Sequence, residues 1–167
     1  MKFSLLPKII LPAITDISPE LLRSRGIQLL MMDFDNTIVP YTTNIPTDAV
    51  NSWLQSMAES GIALCIVSNS KRDRVKIFAK DYGLACITHS RKPFPKGIKE
   101  CLATYDVDPS VCALVGDQIF TDTLGANCTD VTSILVKAID NHNIWLKLRH
   151  VAELPFIFMA RKRRIKT

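Results

Sequence analysis

Short apolar runs recur along the chain and alternate with stretches in which apolar positions lie three or four residues apart. An unbroken apolar run is typical of a strand buried on both faces of a sheet, and the wider spacing is typical of a helix with one buried face. Strands that alternate with helices predict a parallel sheet with helices on both faces, wound by right-handed crossovers. We predict five strands, at residues 29–32, 62–67, 85–88, 111–115 and 131–136.

Capping residues mark the helices between these strands. Thr47 is the predicted N-cap of a helix that ends at Gly61, and Ser70 is the predicted N-cap of a helix that ends at Gly83. A third helix is predicted over residues 97–105. The predicted fold class is therefore α/β, with one five-stranded parallel sheet of the Rossmann-like kind.

Length and composition are those of an ordinary globular protein. A chain of 167 residues with 47% hydrophobic and 22% charged residues suits a single domain over residues 1–167 and excludes wholesale disorder. We expect an apolar N-terminal segment over residues 1–15 and a basic C-terminal tail over residues 152–167. The five cysteines form no C-x-x-C pair, so buried thiols in a reducing, cytoplasmic setting are expected.

The net charge of +5 is unevenly distributed. Five cations lie within residues 161–166, directly after the apolar residues 154–159. This arrangement suits peripheral contact with an anionic membrane at its inner face, where each cation contributes about 1 kcal/mol, and it equally suits a solvated tail. The N-terminal segment either packs on the domain or lies at a membrane interface. Nucleic acid is not expected as a partner, because no aromatic residues interleave with the basic cluster.

Polar residues follow the predicted strands at their carboxyl ends. Asp33 and Asp35 come directly after the first strand, and two carboxylates on one side of a strand repel each other unless a cation lies between them. Ligands of parallel α/β sheets bind at this edge. Other residues expected there are Thr37, Ser68, Asn69, Lys92, Asp117 and Asp122.

These residue types suit phosphoryl transfer. A carboxylate is a competent nucleophile toward a phosphoryl group, and Mg²⁺ held by other carboxylates neutralises the charge that develops. A hydroxyl at a helix start and a lysine can bind phosphate oxygens, and a second carboxylate can move a proton. Some of these positions also suit plainer structural roles: Ser68 and Ser70 can be helix caps, Lys96 competes with Lys92, and His89 can be a polar strand-end residue.

The order of these polar residues along the chain resembles that of the haloacid dehalogenase (HAD) superfamily of aspartate-nucleophile phosphatases. Four motifs carry the resemblance: Asp33-Phe34-Asp35-Asn36-Thr37, Ser68, Lys92-Pro93, and Gly116 with Asp117 through Asp122. The resemblance implies that Asp33 is the nucleophile and a Mg²⁺ ligand. It implies that Asp35 is the acid/base, with its backbone carbonyl on the metal, and that Thr37 steadies Asp35 or the phosphate.

The same resemblance assigns roles to the later motifs. Ser68, Asn69 and Lys92 would bind the phosphate, Asp117 would bind Mg²⁺, and Asp122 would orient Lys92 or the ligands of the metal. Residues 14–22, 25–27, 35–41 and 68–71 are more narrowly similar to the YqeG branch, which is related to the phosphatidylglycerophosphate phosphatases of mitochondria and plastids.

The lengths of chain between the motifs indicate what size of substrate the site can accept. The stretches between Asp33 and Ser68 and between Ser68 and Lys92 hold only a short flap, helices and a strand, which leaves no room for a cap domain. An uncapped site is open to bulky substrates, so we expect a Mg²⁺-dependent phosphomonoesterase acting through an aspartyl-phosphate on phosphatidylglycerophosphate or another bulky phosphate. The alternatives are an uncapped phosphatase of proteins, nucleotides or sugar phosphates, and a non-catalytic binding protein with the same fold.

Overall fold

The computed structural model describes residues 3–71, 73–140 and 144–164. Its strands are β1 (Ile9–Leu11), β2 (Leu29–Met32), β3 (Ala63–Val67), β4 (Ala85–Ile87), β5 (Cys112–Gly116) and β6 (Thr132–Val136). Its α-helices are α1 (Pro19–Ser24), α2 (Asp48–Glu59), α3 (Asp73–Asp81), α4 (Lys96–Tyr105), α5 (Leu124–Cys128) and α6 (Ile144–Arg164). Short 3₁₀ helices span Ile14–Asp16 and Pro109–Val111, and a π-helical turn spans Ile119–Thr123.

All strand pairs in the sheet are parallel, and the strand order is β1-β6-β5-β2-β3-β4. The α/β class with a parallel sheet is therefore confirmed, but the prediction of five strands is wrong. The sixth strand is β1, which pairs with β6 through Ile9 opposite Ile134. Sequence reasoning missed it because only three apolar residues lie between Lys8 and Pro12, too few for a strand signal.

Strand β2 lies in the middle of the sheet and is buried on both faces. Leu30 and Met32 pack in one hydrophobic cluster with residues of α2 and α3. Leu29 and Met31 pack in a second cluster with Ile98 and other residues of α4. Helices thus cover both faces, as the unbroken apolar run of β2 predicts.

Thr47 and Ser70 are the two predicted N-caps. The Thr47 hydroxyl accepts a hydrogen bond from the backbone N–H of Val50 at 3.3 Å, as expected of an N-cap. Helix α3 is described from Asp73, and Arg72 lies outside the described residues, so the predicted cap at Ser70 stays a prediction. Between β2 and β3 and between β3 and β4, the described residues form no cap domain.

Residues 144–164, which include most of the predicted basic tail, form the helix α6. Residues 165–167 lie outside the described part of the chain. Among the described helices, none is both long and apolar enough to cross a bilayer. The cysteines are all free, and Cys65, Cys101 and Cys112 are buried, in keeping with their expected role as small core residues.

Candidate active site

A polar cavity of about 190 Å³ opens at the carboxyl edge of the sheet. Its lining residues are Asp33, Asp35, Tyr41, Ser68, Asn69, Ser70, Lys92, Gln118, Thr121 and Asp122. The loops after β2, β3, β4 and β5 all contribute, because the carboxyl ends of parallel strands meet at one edge. Most of the residues predicted from sequence thus surround one cavity.

The loop after β2 folds back on itself directly behind the two aspartates. Asn36 has a φ of 63°, in the left-handed region that asparagine tolerates better than most residues. Its backbone N–H donates to the carbonyl of Val39 at 2.7 Å, and its side-chain amide donates to the carbonyl of Asp140 at 2.7 Å. This turn carries the chain away from the sheet so that Asp33 and Asp35 remain at the cavity.

Lys92 lies at the centre of the buried charges. Its Nζ is 2.7 Å from Asp33 Oδ1 and 2.8 Å from Asp122 Oδ1. Burial alone would lower the pKa of Lys92, but the charges of Asp122 and Asp33 and their hydrogen bonds outweigh it and raise this pKa above its ordinary value. Lys92 therefore stays charged, whereas Lys96, its competitor in the sequence, is exposed and does not line the cavity.

Asp33 is 6% exposed. Burial, helped by the nearby charges of Asp122 and Asp35, raises its pKa to about 7 against the attraction of Lys92. A carboxylate in this position remains ionised more readily when a cation is bound beside it. The nucleophile proposed from sequence is thus poised to bind either a proton or a metal ion.

Three carboxylates form a cluster suited to a metal ion. One oxygen of each lies within 4.8 Å of the others: Asp33, Asp117 and Asp122. Lys92 pairs with two of them, Asp33 and Asp122, and Arg74 pairs with the neighbouring Asp35. Carboxylate oxygens this close together repel each other when ionised, and a divalent cation bound among them would offset that repulsion. The residues present therefore fit a divalent metal, and the cluster adds the Asp122 carboxylate to the predicted carboxylate ligands Asp33 and Asp117.

Asn69 holds the main chain of Lys92. Its Oδ1 accepts hydrogen bonds from the Lys92 backbone N–H at 2.7 Å and from the Ser90 hydroxyl at 2.8 Å, and its Nδ2 donates to the Lys92 carbonyl at 2.9 Å. These contacts occupy the asparagine side chain. Asn69 therefore fixes Lys92 while it also lines the cavity, and its binding of phosphate stays a prediction.

Ser68 and Thr37 occupy different places around the site. Ser68 is 1% exposed and lines the cavity, and its hydroxyl accepts a hydrogen bond from the Ser70 backbone N–H at 3.0 Å. Thr37 is buried behind the cavity wall, and its hydroxyl has no hydrogen-bond partner among the described residues. His89 is exposed and does not line the cavity.

The segment after β5 is held by close packing. A Cβ built on Gly116 would overlap the carboxylate of Asp122, so this carboxylate lies directly against the strand end. Asp122 Oδ2 accepts a hydrogen bond from the Gln118 backbone N–H at 3.1 Å. The glycine of the Gly-Asp motif thus makes the space that lets Asp122 reach Lys92.

Sequence reasoning missed several residues that the fold brings to the site. Arg74 pairs with Asp35 at 3.1 Å, and Tyr41, Gln118 and Thr121 line the cavity. The buried carboxylate of Glu153 accepts a hydrogen bond from the Ile119 backbone N–H at 2.8 Å. Gln118 and Thr121 occupy variable positions of the fourth motif, whereas the signal available for Arg74 was an arginine placed shortly after Ser68.

Sequence comparisons relate this chain to known proteins. The family model of the mitochondrial PGP phosphatases matches residues 2–139. The Bacillus subtilis (strain 168) protein named Probable phosphatase YqeG is 34% identical over 136 residues, which cover 81% of this chain and 79% of the relative.

Solved structures share the fold at low sequence identity. A HAD-superfamily hydrolase from Ehrlichia chaffeensis superposes with a TM-score of 0.57 and 14% identity, covering 78% of this chain and 98% of the other. The cobalt-bound deoxy-D-mannose-octulosonate 8-phosphate phosphatase (YrbI) from Haemophilus influenzae superposes with a TM-score of 0.55 and 11% identity, covering 75% of each chain. The chain therefore belongs to the mitochondrial PGP phosphatase family and is a HAD-superfamily phosphatase of the YqeG type.

Proposed function

We propose that this protein is a Mg²⁺-dependent phosphomonoesterase that works through an aspartyl-phosphate on Asp33. The observation that carries the proposal is the contact of Asp33 with Lys92 inside a small polar cavity, beside the carboxylates of Asp117 and Asp122. A nucleophile, a fixed cation and a site for a divalent metal are then all within reach of one phosphoryl group.

In the first step, an oxygen of Asp33 attacks the phosphorus and the bond from phosphorus to the substrate's ester oxygen breaks. The departing oxygen takes a proton from Asp35. The Lys92 ammonium and the Ser68 hydroxyl bind the non-bridging phosphoryl oxygens, whose charge they stabilise. Asp122 and Asn69 keep Lys92 in place for this contact.

In the second step, water attacks the phosphorus of the aspartyl-phosphate. The water gives a proton to Asp35, the bond from phosphorus to Asp33 breaks, and inorganic phosphate leaves. The ion pair with Arg74 holds the Asp35 carboxylate in position for both proton transfers.

Asp33 and Asp117 would hold the metal ion together with the backbone carbonyl of Asp35, and the cluster makes Asp122 a further candidate ligand. Bound Mg²⁺ would neutralise the charge that builds up when an anionic nucleophile approaches an anionic phosphate. Magnesium suits the site because all the candidate ligands are hard oxygen atoms.

The substrate we propose is phosphatidylglycerophosphate. A cavity of about 190 Å³ is smaller than the 300–1,000 Å³ typical of sites that enclose a drug-sized ligand, so only the phosphate end of a large substrate would enter it. The absence of a cap among the described residues leaves the rest of such a substrate outside. Family membership adds the lipid, and it suggests action at the inner, cytoplasmic face of a membrane.

The test is phosphate release by purified protein from phosphatidylglycerophosphate in mixed micelles, with Mg²⁺ or with a chelator. We expect Mg²⁺-dependent release by the wild type and by the control Asp81→Asn, which changes an exposed aspartate far from the motifs. We expect none by Asp33→Asn, and a phosphorylated Asp33 in acid-quenched wild type by mass spectrometry.

Other outcomes would contradict parts of the proposal. Full activity of Asp33→Asn would overturn the nucleophile assignment. Release from soluble nucleotide, sugar or protein phosphates but not from the lipid would overturn the substrate. Release that persists in the chelator would overturn the metal requirement, and no release from any phosphate would favour a binding protein with this fold.

A further inference from the structure

Helix α6 exposes a strip of large apolar side chains. Val151 is 61% exposed, Leu154 is 47% exposed and Phe158 is 69% exposed. These positions follow each other at intervals of three and four residues, so they lie on one side of the helix. Such a strip at the surface of a monomer marks a site of interaction.

The opposite side of α6 packs on the domain. Glu153 and Ala160 are buried, with exposed fractions of 2% and 6%. The ring of Phe156 packs edge-to-face on Phe120 with a centroid distance of 6.0 Å. The helix is therefore anchored by one face, and its apolar strip points away from the protein.

Positive charge adjoins the strip. Arg161 and Lys162 are exposed at the turn that follows Phe158, and the sequence adds Arg163, Arg164 and Lys166. Within residues 144–167, Glu153 is the only acidic residue, and it is buried against the domain. The exposed face thus combines apolar side chains with cations and carries no acidic residue.

We propose that the outer face of α6 binds an anionic lipid surface, with Leu154 and Phe158 entering the headgroup region and Arg161 and Lys162 contacting lipid phosphates. An amphipathic helix with an apolar strip and flanking cations has the chemistry for this kind of binding. A second copy of the chain would bring the same positive charge to the contact, whereas an anionic membrane neutralises it.

The same helix reaches the site from its other face. The Glu153 carboxylate holds the Ile119 N–H, which opens the turn that carries Asp122. When α6 is bound to lipid, the turn that carries Asp122 therefore stays attached to the lipid-bound helix. The reason for such binding rests on the proposed lipid substrate. The binding of α6 to lipid can nevertheless be measured without any turnover.

The test is co-sedimentation of the full chain with vesicles of phosphatidylcholine alone or mixed with phosphatidylglycerol, which has no terminal phosphate to hydrolyse. We expect binding to the mixed vesicles that weakens with added salt, and little binding to phosphatidylcholine alone. The variants are Leu154→Ser with Phe158→Ser, and separately Lys162→Glu. The control is Ile77→Ser, since Ile77 is an apolar residue of α3 that is 56% exposed.

We expect each α6 variant to bind the mixed vesicles about tenfold more weakly than the wild type or the control. Hydrolysis of a soluble aryl phosphate should stay unchanged in all of them, which separates lost binding from lost folding. Equal binding by the wild type and both α6 variants would overturn the inference, as would a dimer in light scattering that Phe158→Ser abolishes. A wild type that binds vesicles but hydrolyses no lipid phosphate would overturn the proposed substrate, while lipid binding by the outer face of α6 would remain supported.

Discussion

The guanidinium of Arg74 lies 3.1 Å from the carboxylate of Asp35 and donates hydrogen bonds to three backbone carbonyls of the loop after β2. Those carbonyls belong to Pro40, Tyr41 and Thr43, at distances of 3.0, 2.7 and 3.1 Å. One side chain from α3 thus fixes both the proposed acid/base and the loop that brings Tyr41 to the cavity.

This contact predicts that Arg74→Met lowers kcat by about 10- to 100-fold, because Asp35 loses a nearly buried partner and the loop loses three hydrogen bonds. Arg74→Lys should recover part of kcat, since it keeps the charge without the forked geometry. Steady-state kinetics on a soluble phosphate would check this, with the exposed Arg25→Met as the matched control. An unchanged kcat in Arg74→Met would show that the contact has no role in turnover.

Glu153 is expected to position the turn after Asp117. Glu153→Ala leaves the buried Ile119 N–H without its acceptor, which costs about 1–3 kcal/mol of folding free energy, and it should weaken stabilisation by Mg²⁺. Glu153→Gln retains an acceptor oxygen and should restore most of the Mg²⁺ response. The measurement is the shift in thermal unfolding on adding Mg²⁺. Equal shifts for wild type and Glu153→Ala would limit Glu153 to a purely structural contact.

Gly116→Ala should remove activity while leaving the fold in place. The added Cβ would occupy the position of the Asp122 carboxylate, so Asp122 would move away from Lys92 and the metal cluster. We expect a loss of kcat of at least about tenfold with a destabilisation of about 1–3 kcal/mol. Gly125→Ala is the control, since its new Cβ would meet chiefly the flexible end of Ile98 at 3.2 Å. Wild-type turnover by Gly116→Ala would refute this packing argument.

The raised pKa of Asp33 predicts how the free energy of unfolding depends on pH. Burial raises its pKa from the ordinary 3.8 to about 7 in the metal-free protein, so the folded state binds a proton more tightly than the unfolded state does. The stability contributed by that proton is complete below the unfolded pKa and is lost as pH rises through about 7. Mg²⁺ must displace the proton, so stabilisation by Mg²⁺ should grow over the same range.

Thermal unfolding in chelator and in excess Mg²⁺, at a series of pH values between about 5 and 8, measures both trends. Asp33→Asn has no proton to lose and should flatten the dependence in chelator. A metal-free wild type whose stability rises with pH across this range would contradict the direction argued for Asp33.

Local signals were sufficient for much of the fold. The unbroken apolar run before Asp33 predicted a strand buried on both faces, and β2 is such a strand. Thr47 predicted its helix start because an N-cap depends only on residues within one turn. Strand β1 was missed because its stability comes from pairing with β6, more than a hundred residues away, and three apolar residues carry no period.

In the candidate site, too, some features follow from the sequence and others depend on contacts between distant segments. By itself, the sequence determined the chemistry: which carboxylates, hydroxyl and lysine follow which strands, and hence the phosphatase family. Only the tertiary structure decided that Lys92 bridges Asp33 and Asp122, that Asn69 holds the Lys92 main chain, and that Arg74 pairs with Asp35. Motif order follows from the parallel sheet, but contacts between loops depend on side-chain packing across distant segments, which no local pattern encodes.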